Sequence, residues 1–281
     1  MIAVSLALGS SLIYGFSDFL GGLKSRSLPL LSVLLVSQGS AALVLALVVV
    51  MLGEAPPAGE FMLYAALAGL SEAAGVAALY RGLATGVMSV VAPVAALSPV
   101  FPVLAAVVIG ELPTTGQGAG ILLAVTGVGL LSLSGSAQPA GAGIAPSVMF
   151  GLLTALGFGG FQVAMDAASE GDIAWALLIA RLTAVSAFVA VLLATRPALS
   201  VERGEVPPLV LIGVLIIAAD ALYAVASTKG LLSVVAVLSA LYPVVTVALA
   251  RIYLRERLER PQRVGAVIAL GGAVAISALP A

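Results

Sequence analysis

Long apolar runs separated by short turn-forming segments fill this chain from end to end, and that alternation leaves few folds open. A helix needs about 20 mostly apolar residues to cross the hydrocarbon core of a bilayer. Ten runs fit: residues 2–22, 29–52, 59–80, 87–109, 116–135, 144–166, 172–195, 207–229, 232–253 and 261–279. Strong turn chemistry marks the breaks, as in "KSRSLP", "GEAPPAGE", "SGSAQPAGAG" and "RERLERPQR". Only helices and closed barrels satisfy the backbone in lipid, and runs of this length without alternating polarity are helices. The expected fold is an all-α integral membrane protein with ten transmembrane helices. Residues 2–22 look like a secretory signal, but no charged segment precedes them and Asp18 interrupts the run, so an uncleaved first span is expected.

Composition narrows the function. Only 9% of the residues are charged, against about 25% in a soluble domain, and no polar insert is long enough to form one. Cysteine and histidine are both absent, which removes disulfides, thiolate nucleophiles, the usual zinc and haem ligands and any histidine proton relay. No phosphate-binding loop or dinucleotide fingerprint follows a strand pattern. The expectation is therefore no enzyme, no cofactor and no metal. A net charge of −1 and the lack of a basic tail give no reason to expect nucleic acid. The expected partners are a small-molecule substrate and membrane lipid, with the chain a monomer or weak dimer in the cell (inner) membrane.

An internal repeat organises the spans. Gly9, Gly15, Phe16 and Phe19 fall on Gly151, Gly157, Phe158 and Phe161. Glu72 with "RG" at 81–82 falls on Asp220 with "KG" at 229–230. "SVVAPVAALSPV" at 89–100 falls on "SVVAVLSALYPV" at 233–244, and "ELPTTGQGAG" at 111–120 on "ERLERPQRVG" at 256–265. Residues 1–138 and 139–281 are thus expected to be two five-helix halves. Five is odd, so the second half enters the membrane from the opposite side, giving inverted repeats about an axis in the membrane plane.

With these features the sequence resembles the ten-helix branch of the drug/metabolite transporter superfamily, built from two EamA-type halves. The resemblance rests on the repeat, on "GEL" with Gln117 and Gly120 in half one, and on Glu256, Gln262 and Gly265 in half two. The proline-containing fourth and ninth spans, "LSPVFP" at 97–102 and "ALYPVV" at 240–245, add to it. It implies a basket of helices around a central cavity, alternating access, and small metabolites as cargo, often amino acids or drug-like compounds.

Ionisable groups inside spans are costly and usually face a bundle interior or a wet cavity. Glu72 and Asp220 lie near the middle of repeat-matched spans, Arg181 about ten residues into the seventh, and Asp18 in the first. Glu72 and Asp220 are candidates for binding substrate or a proton, with Asp18 as a third coupling candidate; the other reading is a structural polar contact. Arg181 is read as neutralising an intramembrane acid, Glu72 or Asp18, or else as binding a cargo carboxylate. Gln38 holds the position matching Arg181 in half one. Phe16, Phe158, Tyr80, Tyr223 and Tyr242 supply rings, and Ser98 and Gln162 polar groups, of the kind a small organic ligand needs; the alternative for each is core packing. Pro99 and Pro243 are repeat-matched inside spans, as paired hinges or static bends.

The loops on one side carry ten Lys and Arg, those on the other only Lys229. The charge rule then places both termini outside, whereas the resemblance implies both inside. The function expected is a secondary transporter, an exporter of small organic metabolites such as amino acids, proton-coupled or, alternatively, an uncoupled facilitator or exchanger. A non-transporting membrane protein is the remaining class.

Overall fold

The computed structural model describes residues 2–25, 27–85, 91, 94–131, 144–197, 199, 201–253 and 260–278. These residues form helices joined by turns, with no strand among them. In chain order they are α1 (Ile2–Ser25), α2 (Leu30–Leu52), α3 (Gly59–Thr85), α4 (Val100–Val108), α5 (Thr115–Leu131), α6 (Ile144–Ser169), α7 (Ile173–Thr195), α8 (Val206–Ser227), α9 (Leu232–Ser239), α10 (Tyr242–Tyr253) and α11 (Arg260–Ala278). A single 3₁₀ turn, Arg203–Glu205, leads into α8.

Six of these helices, α1, α2, α3, α6, α7 and α8, are long and apolar enough to cross a bilayer. The expected fifth and tenth spans are the shorter α5 and α11. The expected ninth is broken into α9 and α10 by a turn at 240–241. The expected fourth begins in residues that are not described, then turns at 96–99 before α4. Both breaks sit at the matched prolines. Pro99 precedes α4 with φ −66°, and Pro243 is the second residue of α10. Proline's fixed φ suits a first helical turn, where its missing N–H is not needed. The boundary expected between the halves, at 138 and 139, lies outside the described residues.

Neighbour relations pair across the chain. α3 packs on α6 as α8 packs on α1, and α3 packs on α7 as α8 packs on α2. α2 on α7 and α5 on α11 are their own counterparts under the same exchange. In lipid there is no hydrophobic force between apolar helices, so packing and small residues decide which faces meet. α5 and α11 show this most directly: a Cβ at Gly127 would lie 2.2 Å from the Ala269 nitrogen, and one at Gly272 would lie 2.4 Å from the Ala124 nitrogen. Gly127 and Gly272 each lie 16 residues after a matched glutamate, Glu111 or Glu256, and so match each other; only a hydrogen lets these backbones approach so closely.

Two polar residues of the repeat motif act as helix caps. Gln117 Oε1 accepts from the Thr114 N–H at 3.0 Å while Thr114 Oγ1 accepts from the Gln117 N–H at 3.3 Å. That reciprocal pair satisfies donors that the start of α5 leaves open. Glu111 reaches further. Its Oε2 accepts from the Leu232 N–H at 2.8 Å, placing a carboxylate on the positive end of α9.

Candidate functional site

The centre of the bundle holds a buried polar cluster. Arg181 on α7 is 1% exposed. Its Nη1 donates to Glu72 Oε1 on α3 at 3.0 Å and also to Gln38 Oε1 on α2. Its Nη2 donates to Asp220 Oδ2 on α8, and Asp220 Oδ1 accepts from the Tyr14 hydroxyl on α1. Four helices from both halves thus meet at one guanidinium, and α1 joins them through the Tyr14–Asp220 bond. Helix geometry allows this because each residue lies near the middle of its span. A guanidinium offers a fork of donors that several acceptors can share. The repeat-matched acids Glu72 and Asp220 come together on one arginine, and so do the matched positions Gln38 and Arg181.

A cavity of about 140 Å³ lies against this cluster. Tyr14, Gln38 and Glu72 line it, and so do Asp18, Leu34, Val76 and Ile216. The last four are placed consistently. Each is four residues from Tyr14, Gln38, Glu72 or Asp220, one turn toward the helix end that carries Lys24, Arg81 or Arg203. The cavity therefore reaches the basic-loop side of the cluster, where Asp18 is exposed, while Tyr223 and Gln162 line it on the other side. Lys24 and Glu205 pair at 2.5 Å beyond it. On the other side of the cluster the helices close. The Tyr223 hydroxyl donates to the Gln162 carbonyl at 2.9 Å, and Gln162 Nε2 donates to the Ala236 carbonyl at 3.3 Å.

Of the residues expected at a site, Asp18, Glu72, Ser98, Phe158, Gln162, Tyr223 and Tyr242 line the cavity. Ser98 and Tyr242 occupy matched positions, each just before its helix-breaking proline. Asp220 does not line the cavity; it is buried between Arg181 and Tyr14. Arg181 pairs with Glu72, as the sequence expected, and with Asp220 rather than Asp18. Phe16 is not brought to the cavity: it is 46% exposed at the periphery. The reason is the helical period. Tyr14 and Asp18, four apart, take the inward face of α1, so a residue two from each points away. The Tyr80 side chain lies outside the described residues. Glu72 Oε2, Gln162 Oε1 and Arg181 Nε are buried without a hydrogen-bond partner.

Tyr14 was not expected at the site, although its spacing from Asp18 places it on the same face as an acid. Its ring meets Tyr242 edge-on, with centroids 6.2 Å apart. Ser239, at the end of α9, also lines the cavity.

Pro99 and Pro243 follow the cavity-lining residues Ser98 and Tyr242. Both sit where a helix stops and restarts beside the cavity, at positions able to absorb a change in backbone angle. As hinges, Pro99→Ala and Pro243→Ala are expected to lower kcat in liposome uptake while KM stays near its original value. A rise in KM at unchanged kcat would instead mark the prolines as static packing.

The model of the EamA-like transporter family matches residues 1–133 and again 145–278. No curated protein matches the chain. Among solved structures, one crystal structure of a protein superposes with a TM-score of 0.84, covering 99% of this chain and 99% of that one. At 16% identity that likeness shows the fold alone.

Proposed function

The chain belongs to the EamA-like transporter family, and from that premise we propose that it is a secondary transporter exporting small organic metabolites by alternating access. Members of this family are transporters rather than enzymes, and the helices make this a multi-pass membrane protein. The observation that carries the reading is a cavity at mid-bundle, lined from both halves, with the acids Asp18 and Glu72 in its wall. The two halves, 1–138 and 139–281, are inverted repeats in this reading, since their helices exchange neighbours pairwise and each half has an odd number of spans. Rocking one against the other about the Arg181 cluster would present the cavity alternately to the two sides.

Export is the direction that the charge rule supports in this reading. The cavity reaches the side of the cluster nearer the loops rich in Lys and Arg, which that rule places in the cytoplasm; cargo then loads from inside, across the cell (inner) membrane. A cysteine introduced by Glu202→Cys, in a chain with no other cysteine, is expected to resist an impermeant thiol reagent added to intact cells. Labelling from outside would reverse the orientation and with it the direction of loading.

Glu72→Gln tests the site itself. It keeps the side-chain shape and the contact to Arg181 but removes a charge at the cavity wall. Transport into liposomes by the folded variant is expected to fall about tenfold or more, equivalent to at least about 1.4 kcal/mol of lost interaction. Undiminished transport would remove the cavity from the mechanism. A second reading, an uncoupled facilitator, differs in one respect. If carboxylates hold a proton in exchange for cargo, a pH gradient drives uptake; if not, uptake ignores it.

A further inference from the structure

We propose that the cavity takes organic cations, amines on an apolar body without a free carboxylate, in preference to zwitterionic amino acids. This rests on reading the cavity as the substrate site, and it narrows the cargo that site receives.

Asp18 and Glu72 line the cavity and Asp220 lies directly behind it, against the single guanidinium of Arg181. Arg181 balances one of these three acids. It is also unavailable to a ligand: both terminal nitrogens are engaged, by Gln38 and Glu72 on one and Asp220 on the other, and the side chain is sealed from the cavity. No lysine or arginine lines the cavity among the described residues. Lys24, further along α1, is held by Glu205. A carboxylate on the cargo would therefore arrive beside Asp18 and Glu72 with no cation to receive it, and like charges at such a site exclude it.

An ammonium meets the opposite situation. Glu72 Oε2 and Gln162 Oε1 are buried acceptors with no donor, and both residues line the cavity. These two atoms, like the donor Arg181 Nε, are enclosed by protein, so the exposed Asp18 carboxylate is the acceptor a ligand meets first. An ammonium has donors only. Asp18 adds a second carboxylate, with no ion pair or hydrogen bond among the described residues. Five rings also line the wall, those of Tyr14, Phe158, Phe161, Tyr223 and Tyr242. Ring faces attract a cation and enclose its apolar body. The volume, about 140 Å³, suits a single ring or a branched aliphatic group, as an apolar cavity of about 150 Å³ accommodates benzene.

Matched ligands test the proposal on the full purified chain. Phenethylamine, phenylalanine and phenylacetate share one body and differ in charged groups; isoamylamine and leucine repeat the comparison on an aliphatic body. Binding is read by calorimetry in detergent, and transport by counterflow in liposomes. The amines are expected to bind at least tenfold more tightly than the corresponding amino acids, and phenylacetate not to bind. Glu72→Gln and, separately, Asp18→Asn are expected to lower amine affinity at least tenfold. Asp18 has no partner to lose, so that variant keeps the test usable if Glu72→Gln fails to fold. Amino acids binding as tightly as amines, phenylacetate binding, or no amine binding at millimolar concentration would each overturn the proposal. If the amines bind with the expected preference but none of the five solutes crosses the liposome membrane, the cation site stands and the transporter reading fails.

Discussion

Replacing Arg181 by methionine is expected to destabilise the folded chain by about 3–5 kcal/mol, the range found when one member of a buried ion pair is removed. The arginine is where α2, α3, α7 and α8 meet: Gln38, Glu72 and Asp220 each accept from it. Methionine fills much of the same volume and leaves two acids facing one another in a dry centre. The loss is thus the cost of orphaned charge rather than of packing. A triple variant separates these causes. Arg181→Met with Glu72→Gln and Asp220→Asn removes the unpaired charge as well, and it is expected to recover most of the lost stability, as replacing a whole buried ionic group often does. Thermal unfolding in one detergent gives the comparison. If the triple variant melts as low as the single one, the cluster holds the helices through shape and the electrostatic account is wrong.

That cluster also shows how far the sequence could be read. Glu72, Asp220 and Arg181 announce themselves because an ionisable residue in an apolar run demands a partner. The repeat then placed the two acids on exchanged helices, and they are found on one arginine. Hydropathy located six helices long and apolar enough to span, because a length of about 20 apolar residues is a property of local sequence. What stayed hidden depends on rotation about helix axes and on contacts between distant segments. Phe16 and Phe158 match in the repeat, yet Phe158 lines the cavity and Phe16 faces outward. Polar Tyr14 and Asp18 claim the inner face of α1, and nothing equivalent constrains α6. Glu111 is part of a motif visible in the sequence, but its contact with the start of α9 spans 121 positions of chain. The breaks at Pro99 and Pro243 were legible as kinks; that Ser98 and Tyr242 before them would both face the cavity was legible only in part, through the ring of Tyr242 and the hydroxyl of Ser98.

Adding one methyl group at Gly69 is expected to disable the protein as thoroughly as removing a charge. Gly69 lies one turn from Glu72 on α3, on the face that meets α7. A Cβ there would sit 2.1 Å from the Ala180 carbonyl oxygen and 2.9 Å from the Ala180 Cα. Ala180 adjoins Arg181, and the obstructing atoms are backbone, so no side-chain rotation relieves the clash. α3 must retreat from α7, and the 3.0 Å contact between Glu72 and Arg181 lengthens with it. Gly213 does the same on the other side of the cluster: its Cβ would lie 2.2 Å from the carbonyl oxygen of Ser37, the neighbour of Gln38. Overpacking costs about 1–3 kcal/mol where a core can adjust. Gly69→Ala and Gly213→Ala are expected to reach or exceed the top of that range and to lose transport together with stability. Gly39 supplies the control. It is next to Gln38 in α2, and a Cβ there meets nothing within 4 Å. Gly39→Ala is expected to be neutral or to stabilise by up to about 1 kcal/mol through helix propensity. The three variants carry the same methyl group in helices of the same bundle, so helix propensity favours all of them equally. A Gly69→Ala protein that melts and transports like Gly39→Ala would mean that α3 and α7 stand further apart than described, and the Glu72–Arg181 contact could not then be what holds the cavity wall in place.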